Sequence, residues 1–196
     1  MNDELKENNS EKLLKATLEL NALIIIGLSV LEYNIRESMV QVFQTALGPE
    51  WLSHALTDKG IPIFKEEAFI ITKRKSNQYV LTEKKFTEEA SMGFWVELFN
   101  KETYKHLKGI PIQAFKYRLP AVKRNNIYKM FKDLKDLRNR LVHNRLSPTL
   151  SKEETALLLN TLQKAGEDIR TLVSYINPSA LTLLPQNIDQ KISEVK

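Results

Sequence analysis

An all-α fold is what this sequence predicts, on three observations. Apolar residues recur at helical spacing through most of the 196 residues. Helix stops and starts fall between those runs, as Gly48-Pro49, Ser151-Lys152-Glu153-Glu154 and Asn177-Pro178. No repeat, low-complexity tract or clear linker divides the chain, so residues 1–196 read as one domain with a core of useful size.

The first helix is expected to open at Ser10, after a polar tail over residues 1–9. Its apolar positions run through Leu18, Leu20, Leu23, Ile24, Leu28, Leu31, Ile35, Met39, Val42 and Phe43, and Gly48-Pro49 closes it. Gly27 marks the point where so long a helix would bend. Its middle is apolar on more than one face. Simple burial explains that, and so does a core helix that also meets a second subunit. Glu32 and Arg36 sit four apart and suit a surface pair, with a reach of Asn34 and Arg36 toward the Arg138–His143 motif as the alternative.

Glu50 to Leu56 reads as a short helix with Trp51 turned inward, followed by a turn at Asp58-Lys59-Gly60 and an extended Ile61-Pro62. Ala68 to Thr72 and Tyr79 to Thr82 are β-branched and aromatic runs around the polar Lys73-Arg74-Lys75-Ser76-Asn77. They predict a small β-hairpin insertion over residues 68–82, whose basic tip is either a polyanion contact or a plain loop. Thr87 is expected to cap a helix from Glu88 to Phe99, with Trp95 and Phe99 on its buried face. A short helix from Thr103 to Lys108 ends at Gly109, and Pro111 opens a turn through Phe115. Pro120 begins a helix that runs to about His143 or Asn144 and is stopped by Leu146-Ser147-Pro148. The next helix carries Leu157, Leu158, Leu162, Ile169, Leu172, Val173 and Ile176, and residues 179–196 form a tail with one short last helix.

Composition narrows the function. Hydrophobic residues at 42% and charged residues at 27% describe a soluble globular chain. The absence of cysteine excludes a disulfide framework, a thiolate metal site and a cysteine nucleophile, and fits a reducing cytoplasm. The polar N-terminus is unlike a signal peptide, and the apolar run from Leu20 to Leu31 is too short to span a bilayer, so no membrane is expected. Net charge is +5, yet Lys101 to Arg145 alone holds thirteen Lys or Arg against Glu102, Asp133 and Asp136. Such asymmetry suggests a side that meets a polyanion, nucleic acid above all, against the plainer alternative of a solvated basic face.

The most informative stretch runs from Asp133 to Pro148. On a helical wheel Ile127, Met130, Phe131, Leu134, Leu137 and Leu141 share one apolar arc, and Arg138 projects into its flank. Asn139 and His143 are four apart on a neighbouring face. A guanidinium at a packing edge is costly unless an anion or polar group meets it. These are parts suited to phosphodiester chemistry. A His moves protons near neutral pH, an Arg fork stabilises charge building on a phosphate, and an Asn orients either. The alternative is a helix-end His beside Leu141 and Val142 with a purely structural role. His54, His106 and His143 are scattered and no acidic cluster sits at ligand spacing, so neither metal nor cofactor is expected.

Arg138-Asn139-Arg140-Leu141-Val142-His143 resembles the Arg-x(4–6)-His motif of HEPN domains, including the Asn after the Arg. Leu31-Glu32-Tyr33-Asn34-Ile35-Arg36, Gly48-Pro49-Glu50-Trp51 and Met92-Gly93-Phe94-Trp95-Val96-Glu97-Leu98-Phe99 precede it, in the order seen in the Abi-like (abortive infection) family of that superfamily. The resemblance spans about residues 20 to 150. It implies a HEPN-type helical bundle that dimerises, and a metal-independent endoribonuclease whose composite active site forms where two motif helices meet. Arg138, Asn139 and His143 would be catalytic. Arg140, Arg145, Lys135 and Arg124 would contact RNA. It further implies a cytoplasmic toxin or anti-phage role, with a regulatory RNA or antitoxin as partner. Asn144 and Arg145 follow the motif His where many relatives carry a second His or an acid. No Tyr stands two residues after His143, so silencing by nucleotide addition there is not expected. A non-catalytic RNA-binding module and a helical dimer that regulates a protein partner remain the competing functions.

Overall fold

A computed structural model describes residues 2–57, 61–75, 79–142 and 152–195. Its organising element is α1 (Asn2–Leu47), one continuous helix. The helix therefore begins well before Ser10, and the expected cap there is not its start. At the far end Gly48 adopts φ +89°, a left-handed conformation that glycine takes without a Cβ penalty, and its N–H closes back on the Gln44 carbonyl at 3.0 Å. One line of α1, with Leu20, Ile24, Leu28, Leu31, Ile35 and Met39, is almost completely buried. By length and composition alone Leu14–Leu47 would suffice to cross a membrane, a test that the core helix of a folded domain also passes.

The longest partner of α1 is α8 (Lys152–Ile176), which buries Leu159, Leu162, Ala165, Ile169, Leu172 and Val173. Gly27 sits at this contact. A Cβ there would meet Ile169 at 3.4 Å, an ordinary van der Waals distance, so the position faces α8 without requiring a glycine. After α8 come a 3-10 helix (Pro178–Leu183) and α9 (Ile188–Val195). Residues 179–195 are more than a tail, because Ala180, Leu184, Ile188 and Ile192 are buried and α9 packs on both α1 and α8. Glu19 and Lys191 tie α9 to α1 at 2.9 Å.

A smaller layer covers the C-terminal half of α1. It consists of α2 (Trp51–Ala55), α3 (Pro62–Lys73), α4 (Glu83–Glu89) and α5 (Met92–Glu97). Here the expected β-hairpin is replaced by helix. Ala68 to Thr72 lie inside α3, Tyr79 to Thr82 are irregular, and the described residues contain no strand. Pro62 opens α3 in its first turn, and Phe64, Ala68 and Ile71 then bury one face at spacings of four and three. That helical face, anchored by Phe64, outweighs the β-branched Ile70-Ile71-Thr72 that suggested a strand. The single helix expected from Glu88 to Phe99 is likewise two. Thr82 caps α4 and Ser91 caps α5, each accepting from the backbone N–H three residues on, while Thr87 lies within α4.

Phe43, Trp51, Phe64, Phe86, Phe94 and Trp95 form one aromatic cluster in this layer, with ring centroids 4.9 to 6.1 Å apart. Edge-to-face pairs such as Phe64–Phe94 add about 0.5–1.5 kcal/mol beyond their burial. Buried polar groups lock the junctions. The Glu67 carboxylate accepts from the Ser91 N–H at 2.6 Å, fixing the start of α5. Arg36 pairs with Glu32 at 2.6 Å, as expected, and also donates to the Glu88 and Ala90 carbonyls at the end of α4.

A second aromatic group joins this layer to the helix that carries the motif. Short α6 (Lys101–His106) and a 3-10 helix (Ile110–Ala114) lead into α7 (Arg124–Val142). Phe99 stacks on Phe131 at 5.9 Å, and Phe115 meets Phe131 edge-on at the same distance. Pro120 lies in turns ahead of α7, which starts four residues later than expected.

Candidate nucleic-acid interface on the motif helix

The apolar arc read from the sequence is the face that α7 buries. Ile127, Phe131, Leu134, Leu137 and Leu141 are at most 6% exposed, with Met130 half-buried beside them. This face is held against α5, α8 and α1. The burial orients everything else on the helix at 100° per residue. Arg138 is half-buried at the edge of the arc, and Lys135, three residues earlier, lies half-buried on the same flank. Asn139 and Lys132 follow on the exposed surface next to them. Val142, one helical turn beyond Arg138, is 51% exposed and leaves an apolar rim at the motif end. His143 and Arg145 lie outside the described residues.

Arg140 is placed differently. It points to the opposite flank and lines a groove of about 310 Å³ between α7 and α8, together with Asp133, Asp136, Thr161, Lys164 and Asp168. Lys164 is engaged there, at 2.5 Å from Asp168 and 3.7 Å from Asp133. The hydrogen bond to Asp168 holds the Lys164 ammonium above its ordinary pKa, followed by the attraction of the two carboxylates. With three carboxylates against two cations, this groove is a poor place for a phosphate. The two flanks of α7 thus differ in sign, a separation that the net count over Lys101 to Arg145 conceals.

Arg124 is not part of the motif end. Fourteen residues separate it from Arg138, about 21 Å along the axis. Its guanidinium donates to the Phe99 carbonyl and to Asn125. It also lies 5.8 and 6.0 Å from the rings of Tyr104 and Tyr128. These contacts fasten the start of α7 to the turn after α5. Lys135 is 3.5 Å from Asp136, an exposed and weak partner. The structure therefore groups Arg138, Lys135 and Asn139, and sets Arg124 and Arg140 apart from them.

The basic loop after α3 is also engaged within the fold. Lys75 pairs with Glu89 at 2.8 Å, Tyr79 donates to Glu89 at 3.0 Å, and Lys85 sits 4.6 Å from the Tyr79 ring. The hydrogen bond from Lys75 holds the Glu89 carboxyl below its ordinary value. Helix periodicity in the sequence did not signal this cluster, because Lys75 and Tyr79 come from the segment between α3 and α4, and Lys85 and Glu89 from α4. Among the described residues no group of three or more His, Cys, Asp or Glu is placed to hold a metal ion. Comparison with family models, with curated proteins and with solved structures finds no match to this chain.

Proposed function

We propose that the protein is a metal-independent endoribonuclease of HEPN type, acting through Arg138, Asn139 and His143 at a site completed by a second copy of α7. One observation carries the reading. Arg138 stands half-buried at the edge of the packed face of α7, beside exposed Asn139 and one turn from the end of the described helix, in the Arg-Asn-x-x-x-His string. A cation held there by packing is pre-positioned for a phosphate, and Lys132 and Lys135 extend the same flank along the backbone of a polyanion.

In this reading His143 takes the proton from a ribose 2′-hydroxyl. The 2′-oxygen attacks phosphorus, the bond to the 5′-oxygen breaks, and a second proton donor returns a proton to that leaving oxygen. Arg138 stabilises the charge on the pentacoordinate phosphorus, and Asn139 orients the His or the ribose. One chain supplies a single His to this stretch, so a two-fold pairing of motif helices brings the second proton-transfer group. The same reading places the protein in the cytoplasm as a toxin or abortive-infection effector, with a regulatory RNA or antitoxin holding it silent.

The test is substrate chemistry in excess EDTA. An RNA cut at a mapped position should give a 2′,3′-cyclic phosphate end, and a single 2′-deoxy substitution at that position should stop the cut. Cleavage of the deoxy-substituted strand at an equal rate, or of DNA, would defeat the mechanism.

A further inference from the structure

We infer that the protein takes its RNA as a single strand, and that Tyr104, Arg124 and Tyr128 form a platform on which an unpaired base stacks. The inference rests on the reading above for the choice of RNA as ligand. It adds a binding subsite away from the motif and narrows the substrate to unpaired RNA.

The platform stands in the most one-signed part of the chain. Glu102 is the one acid between Lys101 and Lys132. Lys101, Lys105, Lys108 and Lys132 are exposed, and among the described residues none of them is in an ion pair. Lys75, Lys164 and Lys191, by contrast, each meet a carboxylate. Two half-buried rings lie in this basic region, Tyr104 on α6 and Tyr128 on α7. The Arg124 guanidinium is 5.8 Å from the first ring and 6.0 Å from the second. The Phe99 carbonyl holds that guanidinium in place. Gly109 backs Tyr104. It is left-handed at φ +78°, and a Cβ there would meet the Tyr104 hydroxyl oxygen at 3.3 Å. The group is therefore set by the fold before any ligand arrives. Aromatic rings and an Arg plane are the surfaces on which proteins stack unpaired bases. A duplex keeps its bases stacked inside and cannot offer one.

The platform is continuous with the motif. Arg124, Tyr128, Lys132, Lys135 and Asn139 recur at spacings of four, four, three and four, so they line one flank of α7, with Arg138 beside them. The α7 carboxylates fall to the other side. Asp133 and Asp136 line the groove toward α8, although Asp136 also meets Lys135 at 3.5 Å. Ten residues separate Tyr128 from Arg138, about 15 Å along the axis, or roughly four nucleotides of a stacked strand. A base on the platform and a phosphate at Arg138 thus belong to one short stretch of single strand, with Lys132 and Lys135 serving the phosphates between them.

The test uses full-length His143→Ala protein in excess EDTA, where RNA stays intact. Oligouridylate carrying 5-iodouridine cross-links under ultraviolet light to an aromatic ring that it stacks on, and peptide mapping should place the link at Tyr104 or Tyr128. Tyr104→Leu and Tyr128→Leu should each weaken single-strand binding by about tenfold. The slope of log affinity against log salt should not change, because stacking releases no counterions. Tyr104→Phe and Tyr128→Phe keep the rings and should bind as the parent does. Affinity for the duplex with oligoadenylate should be the same in all these proteins. Cross-links that are absent or confined to other residues overturn the inference, and they do so whether or not a Leu variant folds. So does unchanged single-strand affinity in folded Leu variants, or an equal loss of affinity for the duplex. Cross-links at these tyrosines on a protein whose His143-intact parent leaves RNA uncut would defeat the ribonuclease reading and keep the platform. Cutting by the parent with no link to either tyrosine would do the reverse.

Discussion

The two helices that matter most here, α1 and α7, solve the same packing problem with opposite outer faces. Each buries a line of Leu, Ile and Phe against α8. Beyond that line α1 shows Leu18, Ile26 and Tyr33 to solvent, whereas α7 shows Lys132, Asn139 and Arg140. Burial of one face fixes the rotation of a helix, so whatever stands on the other face is free to be chosen for a partner. An apolar outer face fits another protein surface, and a cationic flank fits a phosphate backbone. The division also runs within α7, where Arg138 and Lys135 lie on one flank and the carboxylate-lined groove with Arg140 on the other.

The sharpest break in this comparison comes from chemistry. Replacing His143 by Ala should lower RNA cleavage by roughly 10²–10⁴-fold, the range of a lost general acid or base. The substitution Ile26→Ala on α1 should leave cleavage within a few-fold of the parent. Equal losses from both would mean that the two helices do not divide the work.

Stability separates the two faces of α1 next. Leu31 is fully buried, and Leu31→Ala should cost about 2–5 kcal/mol in urea unfolding. Ile26→Ala should cost under about 1 kcal/mol at protein concentrations too low for association. Trp95→Ala, fully buried beside Phe94 at the edge of the aromatic cluster, belongs with Leu31 at about 3–5 kcal/mol.

Salt dependence sharpens the comparison within α7. If Lys132 and Lys135 each contact a phosphate, the paired Ala variant should reduce the slope of log affinity against log salt by about 1.4 for single-stranded RNA. Arg140→Ala, in the carboxylate-lined groove, should leave that slope nearly unchanged. Filter binding of His143→Ala protein at several salt concentrations reads both without cleavage.

The smallest expected effect is on pH. The Glu89 carboxyl is held below its ordinary value by Lys75, and that of Glu19 by Lys191. A carboxyl lowered in the folded state contributes stability above its unfolded pKa of about 4.3 and loses it as pH falls through the folded value. Lys164 has the opposite sign, since its raised pKa contributes below about pH 10.4 and fades as pH rises beyond the folded value. Melting temperature should therefore fall at the acid end, and less steeply in Lys75→Met and Lys191→Met proteins. An unchanged acid limb in both variants would remove these pairs from the account.

Much of the framework was legible because it is periodic. The spacing of Ile127, Phe131, Leu134, Leu137 and Leu141 placed the buried face of α7, and the Gly48-Pro49 stop placed the end of α1. The misread elements were those where two signals competed. In residues 68–82 a β-branched run concealed the weaker spacing of Phe64, Ala68 and Ile71. Around Ala90 a helix break was missed because Thr82 and Ser91, not Thr87, supply the caps. Of the site residues, the edge position of Arg138 followed from the wheel. The separation of Arg124 and Arg140 from Arg138 was legible in the same spacing, but their surroundings were not, because these depend on the Phe99 carbonyl and on Asp168, residues far along the chain. The last segment read as a tail because Ile188 and Ile192 are too few to show a period, yet both pack against the core.

The most direct measurement is cleavage of total cellular RNA in excess EDTA by the parent and by His143→Ala, with RNA affinity measured on the same two proteins. The account predicts cutting by the parent alone, and equal affinity in both. Cutting at the same rate by both proteins would contradict it. So would an intact parent dimer that binds RNA and leaves it uncut after any silencing partner has been stripped away.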